Sequence, residues 1–344
     1  MRFASAPAPL AASLFGICVS AGLWTALSPG LAAAVSPAAP IHVQRYAMGT
    51  MFEIVAYHDP RGDAERAIGA AMTEIERLDN VMSHYRSDSD LARLIRTAPH
   101  GPVATDPALY DVIEQSLEFS RLSRGRFDIT IGPLVELWKR AYAEDTRPSD
   151  DDVAAARRCV GFEQIELTAP DRVRFRSDCL RLDLGAIGKG YAVDRAMAIL
   201  ERAALRNVLI DAGGSSIAAR GTPPGAAGWS VRLGAGRSRT VLLTAGSLST
   251  SQQQLVPFNS TPGAFGEIVD PATAAPATAR SAVTVIAPRA TVSDALSTTL
   301  LLVPREDVSQ VLSGFPDVSV VWTASSGEIT AGYRHDRVRF TPPQ

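Results

Sequence analysis

The stretch that most constrains this chain runs from Leu182 to Asp194: Leu-Asp-Leu-Gly-Ala-Ile-Gly-Lys-Gly-Tyr-Ala-Val-Asp. An apolar, strand-like entry leads into a glycine-rich loop carrying one lysine. An amphipathic helix follows, with Val193, Met197, Leu200 and Ala204 at helical spacing. Backbone N–H groups of such a loop, and of the helix start behind it, face whatever lies in front. The helix dipole adds partial positive charge there, so the place suits a phosphate. Lys189 would add a full charge, and Asp183 an acceptor or metal-facing oxygen. Spacing excludes two familiar phosphate loops. A Walker loop opens on a Gly and follows its Gly-Lys pair with Ser or Thr; the equivalent places here hold Asp183 and Gly190. Gly185, Gly188 and Gly190 have the wrong intervals for a dinucleotide fingerprint. The competing reading is a tight strand-to-helix turn with a solvated lysine.

Residues 1–34 read as a signal peptide. Arg2 gives a short positive start, Ala11 to Leu27 is mostly apolar, and Ala32-Ala33-Ala34 offers small-residue cleavage before Val35. Ser13, Gly16, Ser20 and Gly22 make the segment a weak membrane span. Ile17 before Cys18 argues against a lipid-anchored cysteine. No twin arginine occurs, so the expectation is export in an unfolded state to the periplasm, free or held at the inner membrane. Residues 35–40 form a Pro/Ala-rich flexible leader, and 41–344 are ample for a full core. With 34 Lys+Arg against 36 Asp+Glu and no basic block, nucleic acid is excluded as an expected partner. Of the 3 cysteines, Cys159 and Cys179 survive signal removal. In an oxidising compartment they either pair or stay as two buried thiols; nothing in the sequence sets their separation in space.

Along the mature chain, Ile41 to Tyr57 reads as a strand pair around Met48-Gly49-Thr50. Ala67, Ala71, Ile75, Leu78 and Met82 mark one face of a helix over Ala64 to Val81. Ser89 or Asp90 caps a short helix Leu91 to Arg96, and Pro107 to Ser123 is another helix. Phe127 to Thr130 is a strand or loop that turns at Gly132-Pro133. A charged linker, Asp145 to Asp152, precedes a short helix. Gln164 to Leu167, Val173 to Arg176 and Leu180 to Leu184 read as a small antiparallel sheet. Asn207 to Asp211 is a strand ending in a Gly-Gly turn, and Trp229 to Leu233 with Val241 to Leu243 form a hairpin. Gly266 to Asp270 and Ala282 to Ala287 are strands, Ser293 to Leu302 is a helix, and Val318 to Thr323 closes the fold with a strand. Strands in runs, with few long helices between them, predict α+β.

Asp294, Ser297 and Thr298 share one face of their helix. Hard oxygens of this kind suit Mg2+, which keeps room for water and phosphate oxygens. A capping Asp with two ordinary hydroxyls is the plain alternative. Asp128 and Thr130 either orient a ligand or satisfy their own turn. Tyr85 offers a stacking face, and Met48 a soft apolar one. No His-Glu-x-x-His, Cys-x-x-Cys or Gly-x-Ser-x-Gly occurs.

In order along the chain stand Met48-Gly49-Thr50, Ser83-His84-Tyr85, Phe127 to Leu134, Leu182 to Asp194, Asp211 to Gly214, Leu248 to Ser251, Ile268 to Pro271 and Asp294 to Thr298. Together these segments resemble the FAD:protein FMN transferase (ApbE) family across nearly the whole mature chain. The resemblance implies an α+β core of antiparallel sheets and packed helices, T-fold-like. It implies Mg2+-dependent cleavage of FAD, attachment of FMN through its phosphate to a Thr or Ser of an exported or membrane-bound acceptor flavoprotein, and departure of AMP. Carried over by position, Met48, Tyr85, Arg126, Phe127, Asp128, Asp183, Lys189 and Ile268 would touch FAD. Ala186, through its carbonyl, would hold the metal with Asp294, Ser297 and Thr298. Asp294, Lys189 and Glu267 would serve catalysis. Three positions depart from the family pattern: Glu267 replaces a usual His, and Gln252 and Ala274 replace usual Gly. They motivate two alternatives, an FAD-binding protein impaired in transfer and an FAD pyrophosphatase giving FMN and AMP.

Overall fold

Two strands, Ile41–Ala47 (β1) and Thr50–Tyr57 (β2), meet in a hairpin whose two turn residues both take positive φ, Met48 at 49° and Gly49 at 75°. This pair of left-handed residues matches the twist of the flanking strands. Holding a methionine there costs about 1–2 kcal/mol. The computed structural model describes residues 39–233, 239–279, 281–324, 326, 328–334 and 340–341. The expected signal peptide, and the leader up to residue 38, lie outside them.

β1 and β2 begin an 8-stranded antiparallel sheet. Its other strands are β6 (Asn207–Ala212), β7 (Ser216–Arg220), β10 (Ala245–Ser251), β15 (Ala282–Ala287), β16 (Ser319–Thr323) and β17 (Ile329–Tyr333). The spatial order is β1-β2-β6-β7-β10-β15-β16-β17. Period-two alternation sorts side chains between its faces. Phe52, Ile54, Val208, Ile210 and Ala218 enter the main core, while Val55, Leu209, Ile217 and Ala219 face a second one. Each fully buried Ile, Leu or Phe stabilises the fold by about 1.5–3 kcal/mol.

The main core lies between the sheet and a helical layer of α1 (Arg61–Met82), α6 (Gly188–Arg202) and α7 (Ala290–Leu302), flanked by α2 (Asp90–Thr97) and α3 (Pro107–Leu122). Ser89 caps α2, its hydroxyl accepting from the Ala92 N–H at 2.9 Å. The second core is closed by the hairpin β8 (Trp229–Leu233) and β9 (Arg239–Leu243), which β18 (Phe340–Thr341) extends. α4 (Gly132–Ala143) and α5 (Asp150–Arg157) sit beside two small ribbons, β11 (Val256–Pro257) with β12 (Ala264–Phe265) and β13 (Val269–Asp270) with β14 (Ala275–Pro276). A short helix α8 (Val308–Val311) precedes β16.

Several expectations are corrected. Gly132-Pro133 is not a turn but the opening of α4, where a proline's missing N–H is harmless. Leu180 to Leu184 joins no sheet. The strands β4 (Ile165–Thr168) and β5 (Arg172–Phe175) take β3 (Val103–Ala104) as their third member, and Arg181 makes only an isolated bridge to Ile131. The strand expected over Gly266 to Asp270 shrinks to Val269–Asp270. The sheet does not close at Thr323, because β17 pairs with β16. Helix α6 starts at Gly188, so Lys189 stands in its first turn, and its buried face is Val193, Ala196 and Leu200. Ala204 lies past the helix end at φ 61°. Cys159 and Cys179 are joined as a disulfide, Cα atoms 5.4 Å apart.

Candidate functional site

At one end of the sheet the β1–β2 turn, the end of β10, the start of α6 and the middle of α7 converge on a cleft of about 490 Å3. The loops 127–131 and 267–271 complete it. Met48, Tyr85, Arg126, Phe127, Asp128, Asp183, Ala186, Lys189, Glu267, Ile268, Asp294 and Thr298 all line this one cleft. Ser297 lies behind the wall, buried, its hydroxyl donating to the Asp294 carbonyl at 2.9 Å.

The Leu182 to Asp194 stretch builds the centre by clamping two helices. A Cβ on Gly190 would come within 2.3 Å of the Ala290 carbonyl oxygen and 2.6 Å of Asp294 Cβ. Only glycine lets α6 and α7 approach this closely. The Gly190 N–H, in the first turn of α6, donates to Asp294 Oδ2 at 2.8 Å, and Ser216 Oγ donates to Oδ1 at 3.0 Å. The helix amide that a phosphate was expected to use is therefore spent on a carboxylate, which the α6 dipole also favours. Asp194 then caps α7, accepting from the Ala290 and Thr291 N–H groups at 2.7 and 2.9 Å.

A hydroxyl zipper sets the rotation of α7 on the sheet. Ser247, Ser249 and Ser251 stand at every second position of β10. Ser247 and Ser249 bond Ser293 at 3.0 and 2.8 Å, and Ser251 bonds Ser297 and Thr298 at 2.7 and 3.0 Å. This turns Asp294 and Thr298 toward the cleft. Asp294 is 5% exposed, and among the described residues no cationic side chain pairs with it. A buried carboxylate with only neutral donors calls for a counter-charge. No group of three or more His, Cys, Asp or Glu gathers as a metal site among the described residues. A cation at Asp294 would accordingly rely on hydroxyl, carbonyl and substrate oxygens, which is the habit of Mg2+. The donor set of Asp294, Thr298 and the Ala186 carbonyl fits that ion.

The opposite wall is braced from below. Asp128 accepts from the Thr130 N–H and hydroxyl at 2.8 and 2.7 Å, and from the Phe162 N–H at 3.0 Å. It therefore satisfies its own loop, and burial pushes its carboxyl above the usual carboxylate range despite those bonds. Asp183 receives the Gly185 N–H at 2.7 Å, while its own N–H donates to the Ile129 carbonyl at 2.7 Å. Arg126 pairs with Asp270 at 3.1 Å, tying loop 127–131 to loop 267–271. Among the described residues, Lys189 Nζ reaches only the Gly185 carbonyl, at 3.3 Å. Tyr85 is 80% exposed at the rim beside His84, with their ring centroids 3.8 Å apart.

Sequence reasoning missed Gln253 altogether. Its amide donates to the Ile268 carbonyl at 2.7 Å and accepts from the Ile268 N–H at 3.2 Å, imitating a strand partner. This clasp presents Ile268 and the exposed Glu267 to the cleft. Ser251, Asp270 and Asp194 were quoted within motifs but given no role. The Ser-x-Ser-x-Ser alternation of β10 was the one available signal.

The sequence profile of the ApbE family matches residues 48–322. This chain belongs to the ApbE family. It is 29% identical over 314 residues to the FAD:protein FMN transferase of Treponema pallidum, covering 85% of this chain and 87% of that protein. It is 27% identical over 319 residues to that of Klebsiella pneumoniae, covering 88% of each. The ApbE protein of Thermotoga maritima superposes with a TM-score of 0.73 at 27% identity, over 87% of this chain and 98% of that one. The flavin transferase ApbE of Vibrio cholerae gives a TM-score of 0.74 at 23% identity, over 86% and 97% of the two chains, a likeness of fold. The expected α+β class and the family resemblance are both borne out.

Ala274 is one of the positions at which the resemblance implies a glycine. Its φ is 56°, it is buried at 1% exposure, and its carbonyl accepts from Trp138 Nε1 at 2.9 Å. The alanine thus adopts the backbone a glycine would supply, and the loop is not deformed. Ala274→Gly is expected to change stability by less than about 1 kcal/mol, because relief of left-handed strain is offset by lost methyl burial and greater unfolded-chain freedom. Thermal melting checks this, and FAD affinity is expected to stay unchanged.

Proposed function

We propose that this chain cleaves FAD and transfers its FMN half to a Thr or Ser hydroxyl of an exported acceptor protein, with Mg2+ at Asp294 and AMP leaving. The observation that carries the proposal is the meeting of the FAD candidates with Ala186, Asp294 and Thr298 in one cleft. The activity named for the relatives supports it. Tyr85 and Met48 offer a flat aromatic face and a soft apolar one for a heterocycle. Lys189, with one long bond to a carbonyl, keeps N–H groups for phosphoryl oxygens and stabilises the charge developing on them. Bound Mg2+ supplies charge neutralisation at the pyrophosphate. The acceptor oxygen forms a bond to the FMN phosphorus, and the bond from that phosphorus to the bridging oxygen breaks, releasing AMP. Glu267, exposed at the mouth, takes the hydroxyl proton.

The test is the mass of a flavin-free acceptor domain incubated with this chain, FAD and Mg2+. A gain equal to FMN minus water, absent with Asp294→Ala, is the expected result. FAD held on the protein without any gain would sink transfer and favour a binding protein, the reading motivated by Glu267, where the resemblance implies a His. Release of AMP with no acceptor present would identify an FAD pyrophosphatase instead.

A further inference from the structure

A second, larger cleft of about 980 Å3 opens beside the first. Ser215, Thr250, Gln252 and Glu267 line both, so the two hollows meet at Glu267. Its floor is the far face of the sheet at Leu209 and Ile217. One wall is β8, where Ser230 and Arg232 are exposed between the buried Trp229, Val231 and Leu233. The other is the segment after β10, where Gln254 and Val256 are exposed.

The lining suits one kind of occupant. Arg232 is the one cation among the described lining residues, and Asp211 and Glu267 oppose an anionic ligand. Hydroxyl and amide side chains predominate among its polar groups. These pair with peptide units, each of which offers one donor and one acceptor. Val256 on this wall is 42% exposed, leaving an apolar contact for a partner's side chain.

We infer that this groove seats an extended segment of the acceptor polypeptide, with its Thr or Ser hydroxyl at the Glu267 junction, where the two clefts meet. The inference rests on the transfer reading above. It gives the acceptor an approach separate from that of FAD, so both substrates are held at once.

The test fills the groove away from the FAD cleft with Ser230→Trp and Gln254→Trp. The probe is a flavin-free acceptor domain carrying one Thr attachment site, supplied with FAD and Mg2+. The KM for this domain is expected to rise about tenfold or more. The Kd for FAD, read from flavin fluorescence, is expected to stay within about twofold, since neither position lines the FAD cleft. Glu118→Ala, on the exposed face of α3 outside both clefts, is expected to keep acceptor KM within about threefold. Unchanged acceptor KM in both Trp variants overturns the inference, as does an equal loss of FAD affinity. Altered self-association with acceptor KM unchanged would assign the groove to a second copy of this chain, and overturns it too. If the unaltered chain transfers no FMN, the transfer reading fails and the groove assignment falls with it. Transfer that is indifferent to both Trp variants sinks the groove alone.

Discussion

Asp294→Asn is expected to lower FMN transfer by about a thousandfold or more, because a buried carboxylate held only by neutral donors loses its charge while keeping its shape. The fold is expected to survive. The new amide can point its oxygen at the Gly190 N–H and its nitrogen at the Ser216 hydroxyl, which rotates to accept. The transfer rate and the melting temperature together check the prediction. A low rate with a nearly unchanged melting temperature is the expected pair. Transfer retained within about tenfold would show that the charge at this position is dispensable.

Gly190→Ala is expected to damage fold and activity together. The added methyl meets the Ala290 carbonyl oxygen and Asp294 Cβ at 2.3 and 2.6 Å, neither of them the tip of a flexible side chain. The helices α6 and α7 must separate, at a cost of about 3 kcal/mol or more. A fall in melting temperature of roughly 5–10 °C follows for a domain of this size. Separation also pulls the Gly190 N–H from Asp294, so the transfer rate falls as well. An unchanged melting temperature would refute the close crossing at this glycine.

The contrast between these residues shows what the sequence could reveal. Ile54, Leu78 and Leu117 sit where period two or period 3.6 places them, because burial on one face imposes a rhythm a reader can count. Strand β10 escaped because its inward positions are serines, whose partners lie on a helix more than forty residues away. Helix α4 escaped because Gly132-Pro133 carries the composition of a turn while serving as a helix start. At the site, the glycines of Leu182 to Asp194 were legible as special but not as a helix crossing, since the partner helix is distant in sequence. Resemblance to the family gathered residues that local pattern could not. Gln253, whose work is a clasp on the Ile268 backbone, was outside both.

The Cys159–Cys179 bond has a practical consequence. Cys159 precedes Gly161 and Phe162, whose N–H groups hold Thr130 and Asp128, and Cys179 precedes Asp183, which holds Ile129. The bond therefore pins both flanks of one wall of the cleft proposed for FAD. Chain produced in a reducing cytoplasm and chain produced in an oxidising compartment share every residue yet differ by this covalent tie. Two preparations of one sequence are then two reagents, and free-thiol counts belong beside every affinity compared between them.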